Sequence, residues 1–455
     1  MTTRALAGFA AGLARDHLPG EVAAKAGALV LDFLGAATGG AGVPEVAALT
    51  RLVLARGGVP EARVVGTGAA APLPDVAFCA GAAADVLEHQ DGYRFGGFHP
   101  SHAIPAVLAV AEHVDADLPE LLTSVVVAYE VANRIARAAH PAATRAGWFP
   151  TAASFGAAAA CARLLGLDED GVADAIGAAA FFAPGVLIES IFAAPGTKPA
   201  FAGQIARAGV EAALAAQAGL SGWREVVEHP RGLVAVLGGD GAASVADGLG
   251  EEWTVLDVHQ KWFAGCRHTH GAAQATAELA EEHGLTPDRI TAVDVETYDI
   301  ALLLVDRPVT ADPGTVTCTL SLPFAVGAAL ADRHVGGAQY AADRRGDPAV
   351  LRVADLVRLR RADDLEARYP EHTATRVTLT EADGTTHTRT VDVPVGDSRA
   401  PLGRDRLLAK FAGYTEPVFG RAAAGRVAGA LLDGDPMTAR DLVDLLTSPP
   451  EKEQP

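Results

Sequence analysis

Thr151-Ala-Ala-Ser-Phe-Gly-Ala-Ala-Ala-Ala-Cys-Ala-Arg-Leu-Leu-Gly-Leu-Asp168 runs directly into Glu169-Asp-Gly-Val-Ala-Asp-Ala-Ile-Gly-Ala-Ala-Ala-Phe-Phe182. Apolar residues recur in both at three- and four-residue spacing. Gly166 punctuates the first and Asp168 opens the second, so helices are predicted near 151–165 and 169–182. Their faces are mostly alanine and glycine, which lets helix axes approach closely and favours a compact bundle. Outward from there the same pattern predicts helices near 20–38, 101–114, 118–139 and 201–218. Pro150-Thr151 and Pro199 stand near starts, and Gly219 at a stop.

From about residue 288 the period changes. Ile290-Thr-Ala-Val-Asp-Val-Glu-Thr-Tyr298 alternates like a strand, and Ala374–Thr380 and Thr386–Val393 flank Asp383-Gly384, a hairpin signal. Helical stretches are predicted between them, near 321–332 and 348–359, and again at Arg404–Phe411 and Ala422–Leu432. The fold expected is therefore mainly α. A large all-helical domain comprises 1–268 and 401–446, a smaller inserted α+β lid domain comprises 269–400, and 447–455 form a flexible tail.

Composition bounds the function. Of 455 residues, 49% are hydrophobic and 20% charged, which excludes disorder for most of the chain. A net charge of -19, without any basic stripe, argues against nucleic acid as a partner. Cys79, Cys161, Cys266 and Cys318 are scattered, as reduced thiols of a cytoplasmic protein would be. Met1–Arg15 is amphipathic and too broken for a signal peptide. The most apolar run, Ile176–Ile188, is interrupted by Pro184-Gly185 and falls short of the roughly 20 residues a membrane helix needs, so no membrane association is expected.

Four clusters carry chemistry. Leu87-Glu-His-Gln-Asp-Gly-Tyr-Arg-Phe-Gly-Gly-Phe-His-Pro-Ser-His102 sets acids beside histidines on a glycine-broken loop, the equipment of general acid–base work, although a solvated loop has similar composition. Pro195-Gly-Thr-Lys-Pro199 places a lysine where exposed helix N–H groups also attract anions; alone it reads more simply as a surface turn. In Lys261-Trp-Phe-Ala-Gly-Cys-Arg-His-Thr-His270 the apolar neighbours argue for burial. His268-x-His270 lacks a third metal ligand at recognisable spacing. Gly147-Trp-Phe-Pro-Thr151 opens another small-residue helix. No P-loop, strand-linked GxGxxG or GxSxG occurs, so nucleotide cofactors have no support.

These clusters, in this order, resemble the MmgE/PrpD family of carboxylic-acid dehydratases, decarboxylases and epimerases. Leu6-Ala-Gly-Phe-Ala10, Ala26–Gly35, Ala128-Tyr-Glu-Val-Ala-Asn-Arg-Ile135, Gly196-Thr-Lys-Pro199, Cys266-Arg-His-Thr-His270 and Leu408-Ala-Lys-Phe411 carry the resemblance over nearly the whole chain. It implies a homodimer without cofactor or metal. It also implies catalytic roles for Asp91, His99, Lys198 and Lys261, and substrate contacts from Glu88, Arg267, His268 and His270. Three further pocket positions depart from the family: Phe149 stands where lyase members have a histidine, Cys266 near another histidine, and Phe324 in place of a tyrosine. The acidic run, two adjacent aspartates in the family, is here Gln90-Asp91. The function expected is a cofactor-independent lyase, of dehydratase or decarboxylase type, that moves a proton at a carbon beside a carboxylate. The alternatives are an isomerase or epimerase of a small di- or amino-carboxylic acid, and a non-catalytic ligand-binding member.

Overall fold

The computed structural model describes residues 1–140, 142–310 and 313–447, and the chain divides into two units. The first comprises Met1–Asp85, Gln90–Val258 and the chain from Arg404 onward; the second comprises Val86–His89 and His259–Gly403. Of the expected tail only Thr447 falls among the described residues.

The first unit is built of helices, among them α1 (Gly20–Ala41), α2 (Leu73–Asp85), α3 (Leu118–Ala139), α4 (Ala152–Leu164), α5 (Glu169–Phe182) and α6 (Pro199–Gln217). Local signals end them as read. Gly166 and Gly219 take positive φ (77° and 85°), and Asp168 caps α5 by accepting from Gly171 N at 2.9 Å. Helix α6 packs against α2, α4 and α5. Small residues permit this approach: a Cβ on Gly203 of α6 would lie 2.5 Å from Phe78 O of α2. Successive contacts pair Asp85 with Lys198, Gly81 with Ala202, and Asp75 with Arg207, so the two helices run antiparallel. Residues 201–218 and 101–114 were expected to be helices; the first begins at Pro199, and the second is a 3-10 turn, Pro100–Ala103, leading into Ile104–His113.

Helix α1 corrects one expectation. It is long and apolar enough, by length and composition, to cross a membrane, whereas the run expected to be the most apolar is Ile176–Ile188. Most of it is buried inside the first unit, where Asp32 pairs with Lys410 at 2.6 Å. Breaking such a buried pair costs about 3–5 kcal/mol. A second buried charge, Arg134 on α3, meets Glu130 (Nε to Oε2, 3.1 Å). It also donates to the carbonyls of Val245, Asp247, Gly248 and Glu252. These bonds anchor a stretch with little regular structure.

The second unit holds a four-stranded sheet: β1 (Ile290–Thr297), β2 (Val357–Arg361), β3 (Thr375–Glu381) and β4 (Thr386–Val391), in the order β2-β1-β3-β4. Strand β1 is parallel to β2, with Val293 opposite Val357, and antiparallel to β3, with Val295 opposite Val377. Alternate residues Val293, Val295, Val377 and Leu379 face a core completed by helices His270–His283 and Leu322–Asp332. The β3–β4 hairpin turns at Gly384, φ 89°, as Asp383-Gly384 predicts. Strand β2 was not foreseen: the helix expected over 348–359 stops at Leu356. Residues 259–268, expected with the helical domain, belong to the second unit. Backbone bonds Gln260 N→Gly396 O, Ala264 N→Val335 O and Cys266 N→Thr319 O (2.8, 2.7 and 2.8 Å) hold them there. Gly265 N donates likewise to the carbonyls of Leu87 and Glu88, which ties 86–89 into the same unit.

Candidate active site

In the first unit the antiparallel packing of α2 and α6 brings two charges together. Asp85 ends α2, and Lys198 is the N-cap of α6. Each charge sits at the unfavourable end of its own helix, an acid at a C-terminus and a base at an N-terminus. Lys198 Nζ donates to Asp85 Oδ2 at 2.5 Å, and both side chains are buried. Asp85 Oδ1 also accepts from Gln90 Nε2 at 2.9 Å and lies 3.1 Å from His102 Nε2. His102 packs among aromatic rings, 5.3 Å from His99, 6.4 Å from Phe149 and 5.4 Å from Phe201 between centroids. Lys198 Nζ stands 5.4 Å from the centre of the Phe201 ring. Burial pushes the His102 pKa down, against the opposing pull of Asp85, so the ring is neutral near pH 7.

His99 Nδ1 lies 2.6 Å from the backbone carbonyl of Asp91. A carbonyl only accepts, so this nitrogen carries the proton. The Asp91 carboxylate is engaged inside the fold. Oδ2 accepts from the Tyr129 hydroxyl at 2.6 Å and Oδ1 from Ser101 N at 3.2 Å. These two bonds tie the Asp91 carboxylate, expected to carry a proton, to the turn that presents His99 and His102. Phe149, the residue standing in a histidine's place, meets Phe201 edge-on at 4.9 Å and stacks on His99 at 6.4 Å. A cleft of about 340 Å³ in this unit is lined by Lys198, Phe201, Val186, Ile191, Ser190 and Thr197, among others. The two hydroxyls donate to the carbonyls of Leu187 and Ala194 (2.6 and 3.0 Å), and among the described lining residues Lys198 carries the positive charge.

In the second unit the lysine motif at 261 is also matched to a carboxylate. Lys261 Nζ donates to Glu88 Oε2 at 2.7 Å and to the Glu88 carbonyl at 2.9 Å, with the lysine fully buried. Glu88 adopts φ 49°, a left-handed conformation uncommon for any residue but glycine and concentrated at functional sites. Arg267 donates to Asp397 Oδ2 at 3.0 Å. Burial alone would raise that carboxyl, but Arg399 and Arg267 hold it at about 2. His268 Nδ1 is 2.7 Å from the Tyr298 hydroxyl, and His270 Nε2 is 3.3 Å from the Gly265 carbonyl, so the two imidazoles serve different partners. Burial, then the charges of Arg267 and Lys261, push His268 down to about 4. Phe324 is fully buried and stacks on Tyr340 at 5.7 Å; Cys266 is half-buried and forms no disulfide. Among the described residues no group of three or more His, Cys, Asp or Glu has metal-binding geometry.

Asp85, His102, Tyr129 and Phe201 were not singled out from the sequence. Asp85 carried one visible signal, an acid at the end of the otherwise apolar run Val76–Val86.

Residues 4–245 match the MmgE/PrpD N-terminal domain and residues 263–433 the MmgE/PrpD C-terminal domain. The chain belongs to the MmgE/PrpD family. Its relatives include cis-aconitate decarboxylase of Aspergillus terreus, 25% identical over 472 aligned residues covering 97% of this chain and 95% of the relative. Cis-aconitate decarboxylase of Mus musculus is 25% identical over 423 residues, 90% of this chain and 86% of that one. A cis-aconitate decarboxylase-like protein of Aspergillus oryzae is 26% identical over 357 residues, covering 74% and 73%.

Proposed function

We propose that the protein is a lyase of small carboxylic acids, releasing water or CO2 by moving a proton at a carbon beside a carboxylate. One observation carries this reading: the buried Lys198 ammonium, at the start of a helix on the wall of a cleft, beside two imidazoles. The ammonium and the N–H groups that open α6 hold the substrate carboxylate. They also stabilise negative charge building up on the neighbouring carbon, as pre-aligned dipoles do in a water-poor site. An imidazole of the His99–His102 pair moves the proton. Phe149 offers only a ring face. The family relatives named as decarboxylases support the same class of chemistry. Side chains supply every group the reading requires, so no cofactor is invoked.

The test is turnover of small acids bearing one to three carboxylates, followed by absorbance of an unsaturated product and by CO2 release. Wild type should convert at least one acid, and Lys198→Met should raise KM at least tenfold, since one charge-assisted contact is worth about 1.5–3 kcal/mol. A panel that yields neither product, with no acid raising the melting temperature, overturns the reading.

A further inference from the structure

Three groups converge on the Asp85 carboxylate: the Lys198 ammonium, the Gln90 amide and His102 Nε2, at 2.5, 2.9 and 3.1 Å. A carboxylate beside an ammonium only accepts, so Nε2 must bear the imidazole proton. The lone pair of the neutral ring then resides on Nδ1. That atom is buried and meets no hydrogen-bond partner among the described residues. Buried polar nitrogens almost always find one, and the exceptions call for an explanation. An imidazole held by a carboxylate through one nitrogen, with the other unprotonated and unengaged, has the arrangement of a hydrolase's general base.

We propose that His102 Nδ1 is the proton acceptor that opens the reaction, with Asp85 as the residue that orients it; this rests on the lyase reading of the same site. The proton leaves the substrate carbon for Nδ1, and the C–H electron pair stays on that carbon and spreads into the carboxylate held by Lys198. Asp85 faces the positive charge that arrives on the ring. When the leaving group is a hydroxyl, the same proton departs with it as water, a double bond forms, and the site returns to its starting state. His99 is the weaker candidate because its proton-bearing nitrogen faces a neutral carbonyl, which does less to stabilise an imidazolium. The groups facing His102 are Asp85, Lys198 and His99, with Phe149 and Phe201 as apolar walls. Burial keeps the ring in its neutral, proton-accepting form.

His102→Gln separates structure from chemistry, because the glutamine amide keeps an N–H toward Asp85 but has no basic nitrogen. Full-length protein labelled with 15N-histidine, wild type against this variant, assigns the His102 signals by difference. The neutral Nε2–H tautomer is expected at pH 7; a proton on Nδ1 overturns the proposal. In D2O, with a panel of 2- and 3-hydroxy acids bearing one to three carboxylates, wild type should incorporate deuterium at the carbon beside a carboxylate. His102→Gln should lose about 100-fold or more of that rate, with a melting temperature close to wild type. Exchange at the wild-type rate in His102→Gln, or its loss in His99→Gln alone, removes His102 from the role. Wild type that shows the expected tautomer yet exchanges and converts no acid counts against the lyase reading, whereas the wrong tautomer counts against the base assignment.

Discussion

Gly203→Ala tests whether close helix packing sets the Asp85–Lys198 pair. The new Cβ would lie 2.5 Å from Phe78 O and 2.9 Å from the Phe78 ring, against about 3.4 Å for ordinary contact, so α2 and α6 must separate by roughly 1 Å. Overpacking of that kind costs about 1–3 kcal/mol. Alanine returns up to about 1 kcal/mol in helix propensity, which leaves a net loss of up to about 2 kcal/mol. Gly413 is the control: it lies in a helical stretch with nothing within 4 Å of a built Cβ, so Gly413→Ala gains propensity alone. Differential scanning fluorimetry should show Gly203→Ala melting below wild type and Gly413→Ala at or above it, at about 1 °C per kcal/mol for a chain of 455 residues. Because Gly203 lies little more than one turn from Lys198, the same shift should displace the ammonium and lower turnover by about 100-fold. If Gly203→Ala melts with Gly413→Ala and turns over normally, the packing argument is wrong.

Lys198→Met should also destabilise, near the low end of the about 3–5 kcal/mol typical of a broken buried pair, since Gln90 and His102 still face Asp85. Adding Asp85→Asn should recover part of that loss in urea unfolding; strictly additive losses would mean the two charges are not coupled. Tyr129→Phe removes the 2.6 Å bond to Asp91 and should cost about 1.5–3 kcal/mol by the same measurement. His268 titrates at about 4 in the folded protein and near 6.5 when unfolded. The unfolded chain therefore binds more protons between those values, so stability present above pH 6.5 should drain as pH falls toward 4, by up to about 3 kcal/mol. His268→Asn should flatten that slope; an equal slope in both proteins would place its origin elsewhere.

Helix positions in the first unit were readable because alanine and glycine recur with helical period beside clear caps such as Asp168. Helix α2 was not, because every residue from Val76 to Asp85 is buried and no polar face interrupts the run. With no amphipathic stripe, its terminal acid looked like part of the following loop. Strand β2, Val357-Arg-Leu-Arg-Arg361, does alternate. Val350, Val353 and Val357, however, also carry the helical spacing of the preceding segment into the strand, and parallel pairing with the distant β1 decides the outcome. Motifs singled out Lys198, His99, Lys261 and Glu88, but the pairings Lys198–Asp85 in the first unit and Lys261–Glu88 in the second emerged only from packing. Periodicity reports which face a residue occupies, not which helix end arrives opposite it.

Arg134 has a consequence for how the chain tolerates change. The run from Gly239 to Asp257 holds only short 3-10 turns, yet four of its carbonyls terminate on one guanidinium. A lysine there would bring one compact charge and three donors to a task that uses the planar fork. The surface run can therefore drift in side-chain identity while codon 134 stays fixed. A protease challenge of Arg134→Lys should open its first cut in that run, far along the chain from the altered residue.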